Sequence, residues 1–98
     1  MDFSAKGDDD SAVQGAELLR IMATPVRISI LRSVAREKLC VGDIAARMGI
    51  GVVSASHYMR DFHRHGVVSE EKIGANVFYS LSSSAISQLL SAVCDETI

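Results

Sequence analysis

Two amphipathic helical patterns separated by a short turn occupy residues 41–66 of this 98-residue chain. The first pattern spans Val41–Met48 and ends at Gly49, and the second spans Val52–His65 and is followed by Gly66. Glycine just past the last periodic residue is a common helix end, because glycine adopts the left-handed conformation without strain. Two helices joined by a short turn that contains glycine are the helix-turn-helix pattern, which favours a mainly helical fold.

The second of these helices has one apolar side. Ala55, Met59 and Phe62 recur at helical spacing, and this predicts the side that packs on the core. Positions 53, 57, 60, 61 and 64 then point away from the core. Most of the side chains at those positions are polar or charged.

Helix signals also precede this segment. A first helix is predicted from about Ala12 to Met22. Thr24 is suited to cap a second helix, because the threonine hydroxyl can accept a hydrogen bond from a free N–H of the first turn. Pro25 follows it, and proline is favoured at the first helical position. This second helix is predicted over Pro25–Arg36, and its apolar positions follow helical spacing: Ile28, Ile30, Leu31 and Val34. Its arginines, at positions 27, 32 and 36, are expected to face solvent.

The periodicity changes after Gly66. A strand is predicted from Val67, a turn at residues 74–76, and a second strand over Val77–Leu81, where side chains alternate. A last helix follows, capped by a serine within residues 82–84. A β-hairpin placed directly after a helix-turn-helix is a wing. We therefore predict a mainly α, winged helix-turn-helix fold of five helices, with a two-stranded hairpin between the fourth and fifth.

Charge is distributed unevenly along the chain. The net charge is −2, but residues 1–11 hold four aspartates and one lysine, so nine basic and eight acidic residues remain elsewhere. We interpret residues 1–11 as a disordered acidic leader and residues 12–98 as the folded domain. A nearly neutral domain permits binding to nucleic acid without requiring it, since most nucleic-acid-binding domains are basic.

Composition bears on several classes of function. No apolar run approaches the roughly 20 residues of a transmembrane helix, and the first residues do not resemble a signal peptide, so a cytoplasmic protein is expected. The sequence lacks a glycine-rich phosphate loop and a nucleophile motif, so we expect neither an enzyme nor a cofactor.

Apolar residues make up 48% of the chain, and a domain this short buries a modest share of its surface. A homodimer is therefore expected.

Four segments, in the same order, resemble segments of the ArsR/SmtB family of transcriptional repressors. The segment at 22–31, MATPVRISIL, is similar to the family's Ala-Asp-Pro-Thr-Arg-Leu-x-Ile-Leu. The segment at 38–50, KLCVGDIAARMGI, is similar to its Glu-Leu-Cys-Val-Cys-Asp-Leu-Ala. The segment at 54–68, SASHYMRDFHRHGVV, is similar to its Thr-Val-Ser-His-His-Leu-Lys segment, and GANVFYSL at 74–81 resembles its wing.

This resemblance implies a homodimeric repressor that binds operator DNA through the second helix of the helix-turn-helix and through the wing. Residues of types that bond to base edges and phosphates are expected to contact the DNA: Ser54, Ser56, His57, Arg60, Arg64 and, in the wing, Lys72. The family's dimer interface joins its first and last helices, which implies the following interface residues here: Leu19, Met22, Ile86, Leu89, Leu90 and Val93.

The sequence departs from the family where DNA would be contacted. Gly51 and Val52 stand where members usually have serine and glutamine. Glu70 and Glu71 stand in the wing where relatives often carry arginine. Fewer phosphate contacts lower the affinity and flatten its salt dependence. A second function therefore stays open, a winged-helix protein-interaction module or antirepressor with little affinity for DNA.

Members of the family commonly leave DNA when they bind a metal or react at a thiol. The zinc site of the last helix is not expected here, because Ser83 and Ala85 replace its aspartate and histidine and cannot ligate zinc. One cysteine of the family's Cys-Val-Cys remains, Cys40, and Cys94 supplies a second thiol. Three alternatives stay open: release by redox or reactive-sulfur chemistry at these thiols, release by a thiophilic metal, and no inducer acting through them.

A further metal alternative concerns His57, Asp61 and His65, which lie on one helical stripe. The two histidines are separated by about 12 Å along the helix axis, so one ion cannot bind all three side chains. We interpret this stripe as solvated or facing DNA, and no metal site is expected.

Overall fold

Five helices and a small antiparallel sheet make up the structure, a computed structural model that describes residues 6–94, with side chains from Asp10 onward. The elements in chain order are α1 (Lys6–Met22), α2 (Pro25–Arg36), β1 (Leu39–Cys40), α3 (Val41–Met48), α4 (Val52–Arg64), β2 (Val68–Ile73), β3 (Asn76–Leu81) and α5 (Ser84–Val93). The predicted order of five helices with a hairpin between the fourth and fifth is confirmed.

α2 lies at the centre of the fold and packs against α1, α3, α5 and β3. Its residues Ile30, Leu31 and Val34 are buried, as their spacing predicts, and Ile28 is half-buried. Around this helix the other elements contribute the remaining core residues: Ile21, Met22, Leu39, Ile44, Ala45, Ala55, Met59, Phe62, Val67, Val68, Tyr79, Ile86 and Leu90.

The start of α2 is fixed by its cap, as predicted. The Thr24 hydroxyl oxygen accepts a hydrogen bond from the backbone N–H of Arg27 at 3.3 Å, and Pro25 occupies the first helical position. The cap satisfies one N–H that would otherwise lack an intrahelical acceptor.

Four predicted boundaries are wrong. Two of them differ by one residue, because α4 ends at Arg64 rather than His65 and β2 begins at Val68 rather than Val67. α1 begins at Lys6 rather than near Ala12, so residues 6–11 of the predicted leader are helical, while residues 1–5 lie outside the described residues. The acidic composition predicts disorder here, but carboxylates near a helix N-terminus favour the helix through its macrodipole. In the hairpin, Asn76 belongs to β3 rather than to the turn, because it pairs with Ile73.

The sheet has one strand more than the two-stranded hairpin predicted. Leu39 pairs with Tyr79 and Cys40 with Phe78, which gives the strand order β1-β3-β2 with antiparallel neighbours. A strand of two residues is too short to show a period of two, so the sequence pattern did not reveal it. β1 ties the connector before α3 to the base of the wing.

The turn between α3 and α4 depends on one glycine. Gly49 has φ +65° and donates its N–H back to the last turn of α3. Side chains other than glycine are strained at such an angle. Gly42 offers a matched comparison, because it lies inside α3 rather than at its end. At both glycines an added Cβ would meet no atom within 4 Å.

We therefore predict opposite effects of the same substitution at these two positions. Gly49→Ala should lower the free energy of unfolding by about 1 kcal/mol, because alanine is strained at positive φ. Gly42→Ala should raise it by about 0.4–1 kcal/mol, because it restricts the unfolded chain without a clash. Urea denaturation of the two variants measures both values. A stabilising Gly49→Ala would contradict the assigned turn.

Candidate nucleic-acid interface

The orientation of α4 follows from its apolar stripe. Ala55, Met59 and Phe62 are completely buried, as predicted. Since an α-helix turns about 100° per residue, the opposite side must face outward. The exposed residues that form this side, called here the outward stripe, are Val53, His57, Arg60 and Arg64.

The predicted DNA-contacting residues of α4 divide into two groups. Ser54, His57, Arg60 and Arg64 line one polar cleft of about 470 Å³, which is completed by Arg27, Tyr58 and Asp61. Ser56 does not line this cleft and is half-buried on the other flank of α4. Lys72 is exposed on β2, in the wing.

Arg27 belongs to this cleft, although its place on α2 predicted a solvent-facing side chain. Its Nη2 lies 3.2 Å from Asp61 Oδ2, and its Nη1 donates to the Ile21 carbonyl at 2.8 Å. Its guanidinium carbon lies 5.5 Å from the ring centroid of Tyr58 and 6.0 Å from that of Phe62. Arg27 therefore joins the end of α1 to the last two turns of α4, a role that helical spacing does not reveal because the partners are distant in sequence.

Asp61 is the acceptor at the centre of the cleft. Besides Arg27, it pairs with Arg64 at 3.7 Å, and its Oδ1 lies 3.8 Å from Nδ1 of His65. The carboxylate thus compensates two guanidinium groups. Its pair with Arg27 is close and half-buried, whereas its pair with Arg64 is longer and exposed to solvent, and exposed pairs contribute little to stability.

His65 faces α1 rather than the outward stripe. It is half-buried, its Nδ1 lies 2.9 Å from the Asp61 carbonyl oxygen, and its Nε2 lies 3.8 Å from Glu17 Oε1. Arg20 also donates to Glu17, and this hydrogen bond lowers the pKa of the Glu17 carboxyl. Within residues 10–94 no group of three or more histidine, cysteine or acidic side chains is arranged to hold a metal ion.

The acidic residues of the wing have partners inside the protein. Glu71 pairs with Lys38, which precedes β1. Glu70 accepts a hydrogen bond from the Tyr79 hydroxyl at 3.2 Å and lies 3.8 Å from Nε2 of His63. Burial of the phenol and the adjacent Glu70 carboxylate raise the pKa of Tyr79. The negative charge of the wing is therefore partly compensated, which the sequence pattern did not indicate.

An apolar cleft of about 190 Å³ lies between α1 and α5, on the side of the predicted dimer interface. Only apolar side chains line it: Leu19, Met22, Ala23, Ile28, Leu89, Leu90 and Val93. Met22, Leu90 and Ile86 are core residues, whereas Leu19 is 54% exposed and Val93 65% exposed. The exposed members of the predicted interface are therefore Leu19 and Val93, with Leu89 half-buried beside them.

Both predicted sensor thiols are free and half-buried. Cys40 occupies the N-cap position of α3, and its Sγ donates to Asp43 Oδ2 at 3.2 Å. Cys94 is the C-cap of α5. Ser83, the N-cap of α5, makes no capping hydrogen bond through its side chain.

A helix-turn-helix, an outward second helix that carries two arginines and a histidine, and a following hairpin define a winged helix-turn-helix DNA-binding fold. Residues 24–70 match the family described as bacterial regulatory protein, arsR family. The chain belongs to this ArsR family. No helix within residues 6–94 combines the length and apolarity needed to cross a membrane.

Relatives and a solved structure agree with this assignment. The chain is 35% identical over 88% of its length to a transcriptional repressor SmtB homolog of Synechocystis sp., and it spans 65% of that protein. It is 34% identical over 89% of its length to the transcriptional regulator NmtR of Mycobacterium tuberculosis, of which it spans 72%. The crystal structure of NolR from Sinorhizobium fredii superposes with a TM-score of 0.84 at 27% identity, covering 95% of this chain and 93% of that one.

Proposed function

We propose that this chain is a transcriptional repressor that binds operator DNA as a homodimer, through α4 and the wing. The observation that carries the proposal is the outward stripe of α4, where His57, Arg60 and Arg64 are exposed while the opposite side of the same helix is buried. The repressors and regulators named among its relatives support this function. The role is regulatory rather than catalytic, and it is exercised in the cytoplasm, where the DNA lies.

The side chains of the stripe suit the major groove. Arginine binds the O6 and N7 acceptors of guanine in a bidentate manner, and serine or histidine hydrogen-bonds to base edges or phosphates. We assign Arg60 and His57 to base edges, because they lie mid-helix at the centre of the stripe. Ser54, Ser56 and Arg64 flank them, and Lys72 in the wing is suited to the phosphate backbone.

The affinity should be modest and weakly dependent on salt. Outside residues 1–11 the chain has nine basic and eight acidic residues, and several of the basic ones pair internally: Arg27, Lys38 and Arg47. Each phosphate that is neutralised adds about 0.9 to the slope of log affinity against log salt concentration. A small number of such contacts gives a shallow slope.

A second copy of the chain is the proposed occupant of the apolar cleft between α1 and α5. The cleft has no polar lining, and Leu19 and Val93 at its edge are mostly exposed in a single chain. Covering such side chains removes apolar surface from water, which is the usual driving force for association. Two-fold symmetry would then present two α4 helices to successive major grooves, about 34 Å apart.

We propose thiol chemistry at Cys40 and Cys94 as the trigger for release from DNA. The specific support is the location of Cys40, a free thiol at the N-cap of the first helix of the helix-turn-helix. Oxidation of two thiols to a disulfide releases two electrons and two protons, which reduce one molecule of hydrogen peroxide to two waters. A disulfide at Cys40 would shift the start of α3, which packs directly against α4.

Binding to DNA is tested with a duplex selected in vitro from a random library, by fluorescence anisotropy between 50 and 200 mM salt. Arg60→Ala should weaken binding about 5- to 150-fold, the usual loss when a bidentate base contact is removed. Arg36→Ala is the matched control, because it removes the same charge at the end of α2 beside α5, and its affinity should equal that of the wild type. If micromolar protein retains no duplex, the alternative of a protein-interaction module is favoured and the repressor is excluded.

Dimerisation is tested by light scattering on the purified chain. The wild type should show twice the chain mass of 10.5 kDa. Leu19→Glu should show the single-chain mass, because it places a charge in an apolar interface. Ile73→Glu, the same kind of change at an exposed position of the wing, should leave the dimer intact. A monomeric wild type, or a dimeric Leu19→Glu, would exclude the proposed interface.

The thiol proposal is tested by treating the protein with hydrogen peroxide and measuring its affinity for the selected duplex. The wild type should lose affinity about 5- to 150-fold, the usual range of allosteric coupling, and its intact mass should fall by two hydrogens if a disulfide forms. A double variant, Cys40→Ser with Cys94→Ser, should bind equally well before and after treatment. Equal sensitivity of the wild type and the double variant would exclude these thiols as the trigger.

A further inference from the structure

One member of the outward stripe cannot form hydrogen bonds through its side chain. Val53 stands one turn before His57 and is 72% exposed, more than any other large apolar side chain in the described part of the chain. The rest of the stripe is polar and carries the two arginines. An apolar side chain so placed loses contact with water only when something covers the stripe itself.

The first turn of α4 leaves Val53 accessible. The helix begins after Gly51, an N-cap with no side chain and no side-chain capping bond. A Cβ added at Gly51 would meet no atom within 4 Å, so the space in front of this turn is open. A surface that contacts Arg60 and His57 would therefore also reach Val53.

DNA offers one apolar group on the base edges of its major groove, the 5-methyl group of thymine. Valine presents two methyl groups and neither donates nor accepts hydrogen bonds, so it matches thymine and gains nothing from the polar edges of the other bases. The cationic neighbours on the same stripe make a nucleic acid, rather than an apolar protein surface, the complementary partner.

We propose that Val53 determines specificity by contacting the 5-methyl group of a thymine in each half-site of the operator. The inference rests on the proposed binding of DNA, and it specifies which base the side chain of Val53 selects. Arg60 and His57 recognise polar base edges through hydrogen bonds, whereas Val53 distinguishes thymine from cytosine by a methyl contact alone.

Val52 provides the matched control. It has the same side chain and is also exposed, but it is turned about 100° around the helix from Val53. That rotation places it off the outward stripe, on the flank toward the buried side. A methyl contact made by the stripe should therefore depend on Val53 and not on Val52.

The experiment combines variants of the full-length chain with a change of one methyl group in the DNA. In the duplex selected in vitro, each thymine is replaced in turn by deoxyuridine, which lacks the 5-methyl group and keeps every hydrogen-bonding group. In each half-site there should be one thymine whose single replacement weakens binding of the wild type about fourfold, the effect of one buried methyl group. Replacements at the other thymines should have no effect.

The variants then assign the methyl contact. Val53→Ala should bind the thymine and deoxyuridine duplexes equally, and Val52→Ala should still prefer thymine about fourfold. Alanine favours helix more than valine does, so both variants should fold, and the deoxyuridine series on the wild type needs no variant at all.

The outcomes separate this inference from the function on which it rests. If no duplex is selected, DNA binding fails and the methyl contact fails with it. If a duplex binds tightly but no deoxyuridine replacement matters, or Val53→Ala still prefers thymine, the methyl contact is wrong and the repressor remains. If Val53→Ala abolishes the dimer, Val53 belongs to a contact between copies and the inference is overturned.

Discussion

The burial of Ala55, Met59 and Phe62 determines which side of α4 faces outward. All three are fully enclosed by the core, and they fix how α4 is rotated about its own axis. A rotation of one residue would take Phe62 out of the core or drive a polar neighbour into it, and either change costs several kcal/mol, roughly 3–5 for loss of a buried phenylalanine. The outward direction of His57, Arg60 and Arg64 is thus a consequence of packing. The same packing leaves Val53 in solvent.

Polar contacts fix α4 relative to α1. Arg27 connects the Ile21 carbonyl to Asp61, and His65 connects Asp61 to Glu17. α1 also lines the apolar cleft that we assign to the second copy of the chain. α1 therefore contacts the C-terminal end of α4 and also lines the proposed dimer interface. The spacing of the two α4 helices in a dimer would then be set by a short and continuous path of contacts.

Much of this could be predicted from the sequence, because local signals govern helix boundaries. Thr24 followed by proline marks the start of α2, Gly49 marks the end of α3, and the stripe of α4 identifies its two faces.

Contacts between residues distant in sequence could not be predicted. Arg27 has a solvent-facing helical position until Asp61 and the two aromatic rings are placed beside it. The charge of Glu71 likewise appears unopposed until β1 brings Lys38 next to the wing. A pattern of local periodicity holds no information on such pairs.

In the proposed complex, the two outward stripes of the dimer enter successive major grooves of one duplex. Methylation interference on the selected duplex examines this arrangement, because a methyl group on guanine N7 blocks the major groove and one on adenine N3 blocks the minor groove. We expect two patches of guanine interference on one face of the duplex, with centres about 10 base pairs apart. Interference confined to adenine N3, or a single patch, or two patches on opposite faces of the duplex, would contradict it.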